Sequence, residues 1–148
     1  MDKEELARQI SDAFSEIYYR AHPVYTNLLS HQAVRTLQLV HFQPGATIDA
    51  VAKHLGCAHN TASELAKRLA EKEFLTRQRR ATDERSVEIF LTPQGEAALH
   101  ENTSLDVAQI AACLQNLPDA ECERIMTSLL LLLDKLKTAG EQNVADAG

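Results

Sequence analysis

The chain has no tryptophan, four phenylalanines, three tyrosines, four prolines, five glycines and three cysteines in 148 residues. So little Gly and Pro excludes a collagen-like or low-complexity chain. Cys57, Cys113 and Cys122 are odd in number and lack C-x-x-C spacing, so no disulfide framework or zinc knuckle can be built from them and they read as reduced thiols. No apolar run approaches the roughly 18 to 20 residues of a membrane span, the longest being Leu129 to Leu133. The start, Met1-Asp2-Lys3-Glu4-Glu5, has no signal-peptide core, so the expected location is the cytoplasm. What is present is 45% apolar and 24% charged residues, the profile of one ordinary soluble domain.

The formal charge of −6 argues at first sight against a polyanionic partner. Its distribution argues otherwise. Residues 67 to 85 hold Lys67, Arg68, Lys72, Arg77, Arg79, Arg80 and Arg85 against Glu71, Glu73, Asp83 and Glu84, a net +3, whereas the remainder carries −9. A basic stripe on an acidic body is the electrostatic footprint of a protein that offers one edge to DNA. Charge alone leaves open a solvated surface that binds nothing.

Apolar residues at helical spacing predict a first helix from Glu4 to about Arg20, with Leu6, Ile10, Phe14 and Ile17 on a buried face, ended by His22-Pro23. A linker runs to about Ser30. A second helix carries Ala33, Leu37, Leu39 and Val40 and stops before Gln43-Pro44-Gly45. Thr47 is the expected N-cap of a third, Ile48 to Leu55, closed by Gly56, and Thr61, Ala62, Leu65, Ala66 and Leu69 continue a fourth to about Lys72. Two short helices joined by a tight Gly turn make a helix-turn-helix. The period then becomes two: Leu75 to Arg79 and Val87, Ile89 and Leu91 read as strands, with Arg80 to Arg85 as a hairpin loop longer than two residues. Thr92-Pro93 opens a helix expected to reach about Leu117, and Pro118-Asp119 opens a last one, Glu121 to Thr138, closed by Gly140 and followed by a disordered tail. The expected fold is mainly α with a small β-hairpin wing: an N-terminal helix and linker (1–30), a winged helix-turn-helix (31–95), C-terminal helices (96–140) and a tail (141–148). The apolar stripes of the first and last helices exceed what so small a winged domain can cover, and a second copy of the chain is the simplest cover.

With these elements in place, the sequence resembles the MarR family of winged helix-turn-helix transcription regulators. The resemblance rests on Leu55-Gly56, Thr61 to Leu69, Phe74-Leu75-Thr76-Arg77, and above all Asp83-Glu84-Arg85-Ser86 followed by Ile89-Phe90-Leu91-Thr92-Pro93-Gln94-Gly95. It implies a dimer with interlocked terminal helices, two recognition helices in successive major grooves, and wings in flanking minor grooves. Arg85 would then enter the minor groove, its guanidinium held by Asp83, where a narrow groove concentrates negative potential. The chain departs from the family at Ala58, which cannot cap the recognition helix, and at Glu73, where a glycine is frequent and a left-handed backbone disfavours other residues.

In this register the exposed first turns of the recognition helix hold His59, Asn60, Thr61, Ser63 and Glu64, with Lys67 a turn further on. Asn contacts adenine, Ser either base type or phosphate, and Glu accepts from cytosine, which makes Asn60 and Ser63 the first choices for base reading. Lys67, Arg68, Arg77, Arg79 and Arg80 suit phosphates. Small apolar or phenolic effectors are implied by the resemblance, and Tyr18, His22, Tyr25, His31 and His41 could offer polar groups in an apolar wall. No H-x-x-x-H pair unites His22, His31, His41 and His100, so no metal or other cofactor is expected. Cys57 replaces a residue usually apolar and reads as an inert thiol. An enzyme has little support: there is no phosphate-binding Gly loop and no G-x-S-x-G, and Thr61, Ser63 and Glu64 near His59 look triad-like only in composition. The remaining rival is a winged helix that contacts protein and not DNA.

Overall fold

A computed structural model describes the backbone of every residue except Ala81, Thr82 and Gly148, and the side chains outside 80–85 and 143–148. The chain divides into two units, Met1–Asp106 and Val107–Gly148. The boundary expected after Gly95 therefore falls inside a helix, and the N-terminal helix belongs to the same unit as the winged segment.

The first unit holds α1 (Lys3–Ala21), α2 (His31–Phe42), β1 (Ala46–Thr47), α3 (Ile48–Leu55), α4 (His59–Glu71), β2 (Leu75–Arg80), β3 (Asp83–Leu91) and α5 (Pro93–Thr103). Helix starts follow side-chain chemistry: Ser30, Thr47 and Thr92 accept from Ala33, Ala50 and Gly95 amides at 3.1, 3.2 and 3.0 Å. Gly56 ends α3 at φ 67°, a left-handed conformation that turns the chain within three residues into α4. The core is the apolar face of α2 (Leu37, Val40), α3 (Val51), α4 (Ala62, Ala66, Leu69) and Ile89 of β3. Thr36, also fully buried, donates its hydroxyl to the Gln32 carbonyl at 2.9 Å, so no polar group is stranded there.

The sheet has order β1-β3-β2, all antiparallel, with Ala46 opposite Ile89 and Arg77 opposite Ile89 on the other side. β1 has only two residues, too few to show an alternating pattern in the sequence. The wing is also more regular than a long loop: strand pairing reaches Arg80 opposite Asp83, and a register shift between Arg79 and Arg80 takes up the extra residues of β3.

Glu73 has φ 67°, alone among the described residues in a positive φ without being glycine. Its amide bonds to Ala70 and that of Phe74 to Leu69, closing α4, while the Thr92 hydroxyl donates to the Glu73 carbonyl. Glu73→Gly removes the steric penalty of a left-handed side-chain-bearing residue and is expected to stabilise the first unit by about 1 kcal/mol, measured by urea unfolding.

The linker between α1 and α2 is fixed to α5. Glu101 accepts from the Thr26 hydroxyl (2.6 Å), the Thr26 amide (3.1 Å) and the Asn27 amide (3.2 Å), and Asn102 bonds Leu29 N and Asn27 O at 3.2 and 2.8 Å. The Thr26 hydroxyl and then its amide hold the Glu101 carboxyl below its ordinary value, aided by Asn27 and His100 against partial burial. A carboxylate lowered by folding contributes stability that is complete above its unfolded value and disappears as pH falls through the folded one. Glu101→Gln is therefore expected to flatten the acid side of the melting-temperature profile, with the difference from the parent chain vanishing in strong acid.

Three expectations are corrected. The face of α1 is not buried within the chain: only Ala21 is, while Ile10, Phe14 and Ile17 are exposed. The helix from Thr92 does not reach Leu117. It ends at Thr103, because Asn102 and Thr103 bond back to Ala98 and Leu99 carbonyls, Ser104 turns extended, and the Asp106 amide finds the Ala21 carbonyl at 2.6 Å.

The second unit consists of α6 (Val107–Leu114) and α7 (Asp119–Ala147). Here Gly140 does not close the helix, which runs on to Ala147. Gly costs a helix interior only about 1 kcal/mol relative to Ala, and Glu141, Gln142 and the alanines beyond are adequate helix formers. No described residue of this unit is buried, and Leu129 to Leu133 and Leu136 are all exposed.

Candidate nucleic-acid interface

α4 packs its Ala62, Leu65, Ala66 and Leu69 face onto α3 and the sheet, so its other face is left outward. That face presents His59, Asn60, Thr61, Glu64, Lys67 and Arg68, all exposed. Ser63, expected among the exposed residues, is half-buried and lies in a crevice of about 120 Å³ with Thr47, Asp49, His59, Arg77 and Ser86. The crevice joins the first turns of α3 and α4 to the wing strands. Ala58 makes no side-chain cap. His59, the first residue of α4, is tied instead to Asp49 in the first turn of α3, with Nδ1 2.6 Å from Oδ1.

Arg77 and Arg79 stand exposed on β2, and Arg77 lines both the α4 crevice and a second hollow with Gln78 and Arg79. Among the described residues no ion pair engages Lys67, Arg68 or Arg77, since the Arg–carboxylate pairs found there, those of Arg8 and Arg20, lie within α1. Lys67, Arg68 and Arg77 thus have no carboxylate partner among the described residues, and their field is directed to whatever approaches α4 and β2. Arg68 has a second neighbourhood as well. It lines, with Lys72, Leu28 and Leu29, a different groove of about 320 Å³. The side chains of Arg80, Asp83 and Arg85 lie outside the described residues.

The five residues expected to form one pocket do not meet. Tyr18, His22 and Tyr25 fill one another's space: His22 stacks on Tyr25 at 5.5 Å, and the two tyrosine hydroxyls are 3.0 Å apart. Tyr18 donates to the Asn102 carbonyl at 2.9 Å, so Tyr25 must donate to Tyr18. His41 lies in a separate open groove of about 390 Å³ with Gln38, Phe42, Glu96, Leu99 and His100, its Nδ1 donating to Glu96 at 2.8 Å. His31, exposed at the start of α2, joins neither. Tyr18 and His41 are also satisfied by Asn102 and Glu96, partners far along the sequence that spacing does not reveal. Among the described residues no three His, Cys, Asp or Glu side chains gather as a metal site requires. Cys57 is half-buried against the core, Cys122 half-buried and Cys113 exposed, all as free thiols. Asp49, Thr47 and Ser86 were not foreseen as site residues; an acid in the first turn of a helix signals only a favourable helix dipole.

Residues 29–87 match the family model described as MarR family. No curated protein matches the chain. Among solved structures the chain is similar to transcriptional regulator Tm0710 from Thermotoga maritima, with TM-score 0.56, 24% identity and coverage of 78% of this chain and 79% of that one. It is similar to FabT of Streptococcus pneumoniae in complex with DNA (TM-score 0.56, 18% identity, 92% and 98% covered). S. aureus MepR bound to ethidium bromide gives TM-score 0.53, 25% identity and coverage of 92% and 97%. The mainly helical fold with its three-stranded sheet is that of these winged-helix structures.

Proposed function

We propose, from the match of residues 29–87 to the MarR family model, that the chain is a transcriptional regulator that binds double-stranded DNA. In finer terms it acts as a dimer on a palindromic operator, in the cytoplasm, as a repressor released by a small apolar or phenolic effector. The observation that carries the reading is the exposed α4 face beside Lys67 and Arg77, cations with no ion pair among the described residues, on a chain whose net charge is −6. α4 enters the major groove with Asn60, Thr61 and Glu64 toward base edges and His59 and Ser63 beside them. Lys67, Arg68, Arg77, Arg79 and Arg80 hold phosphates, and Arg85, steadied by Asp83, reaches the minor groove.

The dimer is supported by the exposed apolar faces of α1 and α7, which hold Ile10, Phe14 and Ile17 on one and Leu129, Leu132 and Leu136 on the other. Burying such surface is worth roughly 25 cal/mol per Å². Among the described residues no helix is long and apolar enough to cross a membrane, which removes that alternative for these leucines. The effector would lie against the His41, Phe42, Leu99 and His100 groove, whose mixed polar and apolar lining suits a small ring compound; MepR, solved with ethidium bromide, accepts a small molecule on the same fold.

Selection of bound duplexes from random sequence tests the reading. The expected result is a palindrome with half-sites about one helical turn apart. No enrichment at low salt would refute it and favour a protein-contact module. Arg85→Ala is expected to weaken binding to the selected duplex about tenfold, at the level of one good contact; a gel-shift titration at fixed salt measures it, and unchanged affinity removes Arg85 from the interface.

A further inference from the structure

We propose that Asp49 is a positioning residue for duplex recognition, fixing His59 as a hydrogen-bond acceptor at the leading end of α4. The inference rests on the DNA-binding reading above. Asp49 Oδ1 lies 2.6 Å from His59 Nδ1, and both side chains are open to solvent, at 85% and 57% exposure. An ionised carboxylate only accepts, so the proton of this bond sits on Nδ1. In its neutral form the ring then presents a bare Nε2 outward. A bare nitrogen requires a donor, and in the major groove the donors are the exocyclic amines of adenine and cytosine, whereas guanine offers only acceptors. Without Asp49 the ring is free to carry its proton on Nε2 and to rotate, and the distinction is lost.

The surroundings leave this role to Asp49. Ala58 offers no cap that could orient the first turn of α4. Among the described residues the crevice around His59 is lined by Thr47, Ile48 and Asp49 from the α3 end, Ser63 from α4, Arg77 from β2 and Ser86 and Val87 from β3. Asp49 and Arg77 are its charged members, and only Asp49 can accept from Nδ1 as a carboxylate. An exposed pair of this kind contributes little to folding, so its partner at the first turn of a base-reading helix points to recognition.

The test has two arms. On the full-length protein without DNA, nitrogen NMR of the imidazole is expected to show the Nδ1–H form for His59 in the parent chain and a mixture in Asp49→Ala. The melting temperatures should differ by no more than a few degrees, the loss of one favourable charge at the start of α3. On duplexes, Asp49→Ala is expected to lower the preference for adenine or cytosine at one symmetric position about tenfold, the scale of a single base contact, with little change elsewhere in the site. His59→Phe should do the same, and adding Asp49→Ala to His59→Phe should change nothing further. An Nε2–H ring in the parent chain, a uniform affinity loss with base preference intact, or additive effects in the double variant would each overturn the proposal. The NMR arm stands without DNA, so a parent chain that binds no duplex refutes the DNA-binding reading by itself and the role of Asp49 in recognition with it.

Discussion

Gly95→Ala is expected to destabilise the first unit by about 3 kcal/mol or more, beyond most overpacking substitutions. A Cβ on Gly95 would overlap the Phe74 carbonyl oxygen and stand 3.0 Å from the Phe74 carbonyl carbon. Both atoms are backbone, so no side-chain rotation relieves the clash. The same carbonyl accepts the Thr92 amide at 3.1 Å, and that bond stretches as the strand is pushed away. Gly95 itself is buried, at the first turn of α5, between the end of α4 and the exit of the wing. Urea unfolding should show the midpoint falling with little change in slope. The duplex affinity should fall with it, because the wing and α4 meet at Phe74. A variant as stable as the parent would mean that the junction is looser than its geometry states.

The second large effect is on affinity in salt. Lys67, Arg68, Arg77 and Arg79 alone place four cations per chain at the proposed interface, and a dimer would neutralise about eight phosphates or more. Counterion release then predicts a loss of roughly a thousandfold or more between about 50 and 200 mM salt. Double-logarithmic titrations measure the slope, and Arg77→Ala should lower its magnitude by about one per chain. A flat dependence would show that these side chains meet something other than a polyanion. The acidic remainder of the molecule makes the contrast sharper, since it repels the duplex everywhere else.

What could be read in the sequence was what local chemistry determines. Thr47 and Gly56 set both ends of α3, because a hydroxyl cap and a left-handed glycine act within three residues of themselves. The helix-turn-helix and the wing followed from apolar period. The break at Ser104 was not legible: Asn102 competes with its own helix only because Asn27 and Leu29, far back in the chain, are there to be bonded. Gly140 misled for the opposite reason, its single penalty being outweighed by good helix formers after it. On α4, residue types pointed to the exposed face but not to Ser63 turning partly inward or to the Asp49 partner of His59. Within one chain Tyr18 and His22 are taken up by Tyr25 and Asn102, and His41 by Glu96, pairings that residue spacing does not show.

The Thr92 hydroxyl donates to the Glu73 carbonyl and accepts from the Gly95 amide, so one oxygen pins the trailing end of α4 to the leading end of α5. A displacement at the start of α5 is therefore expected to reach the end of α4 through this one oxygen, with no loop between them to absorb it.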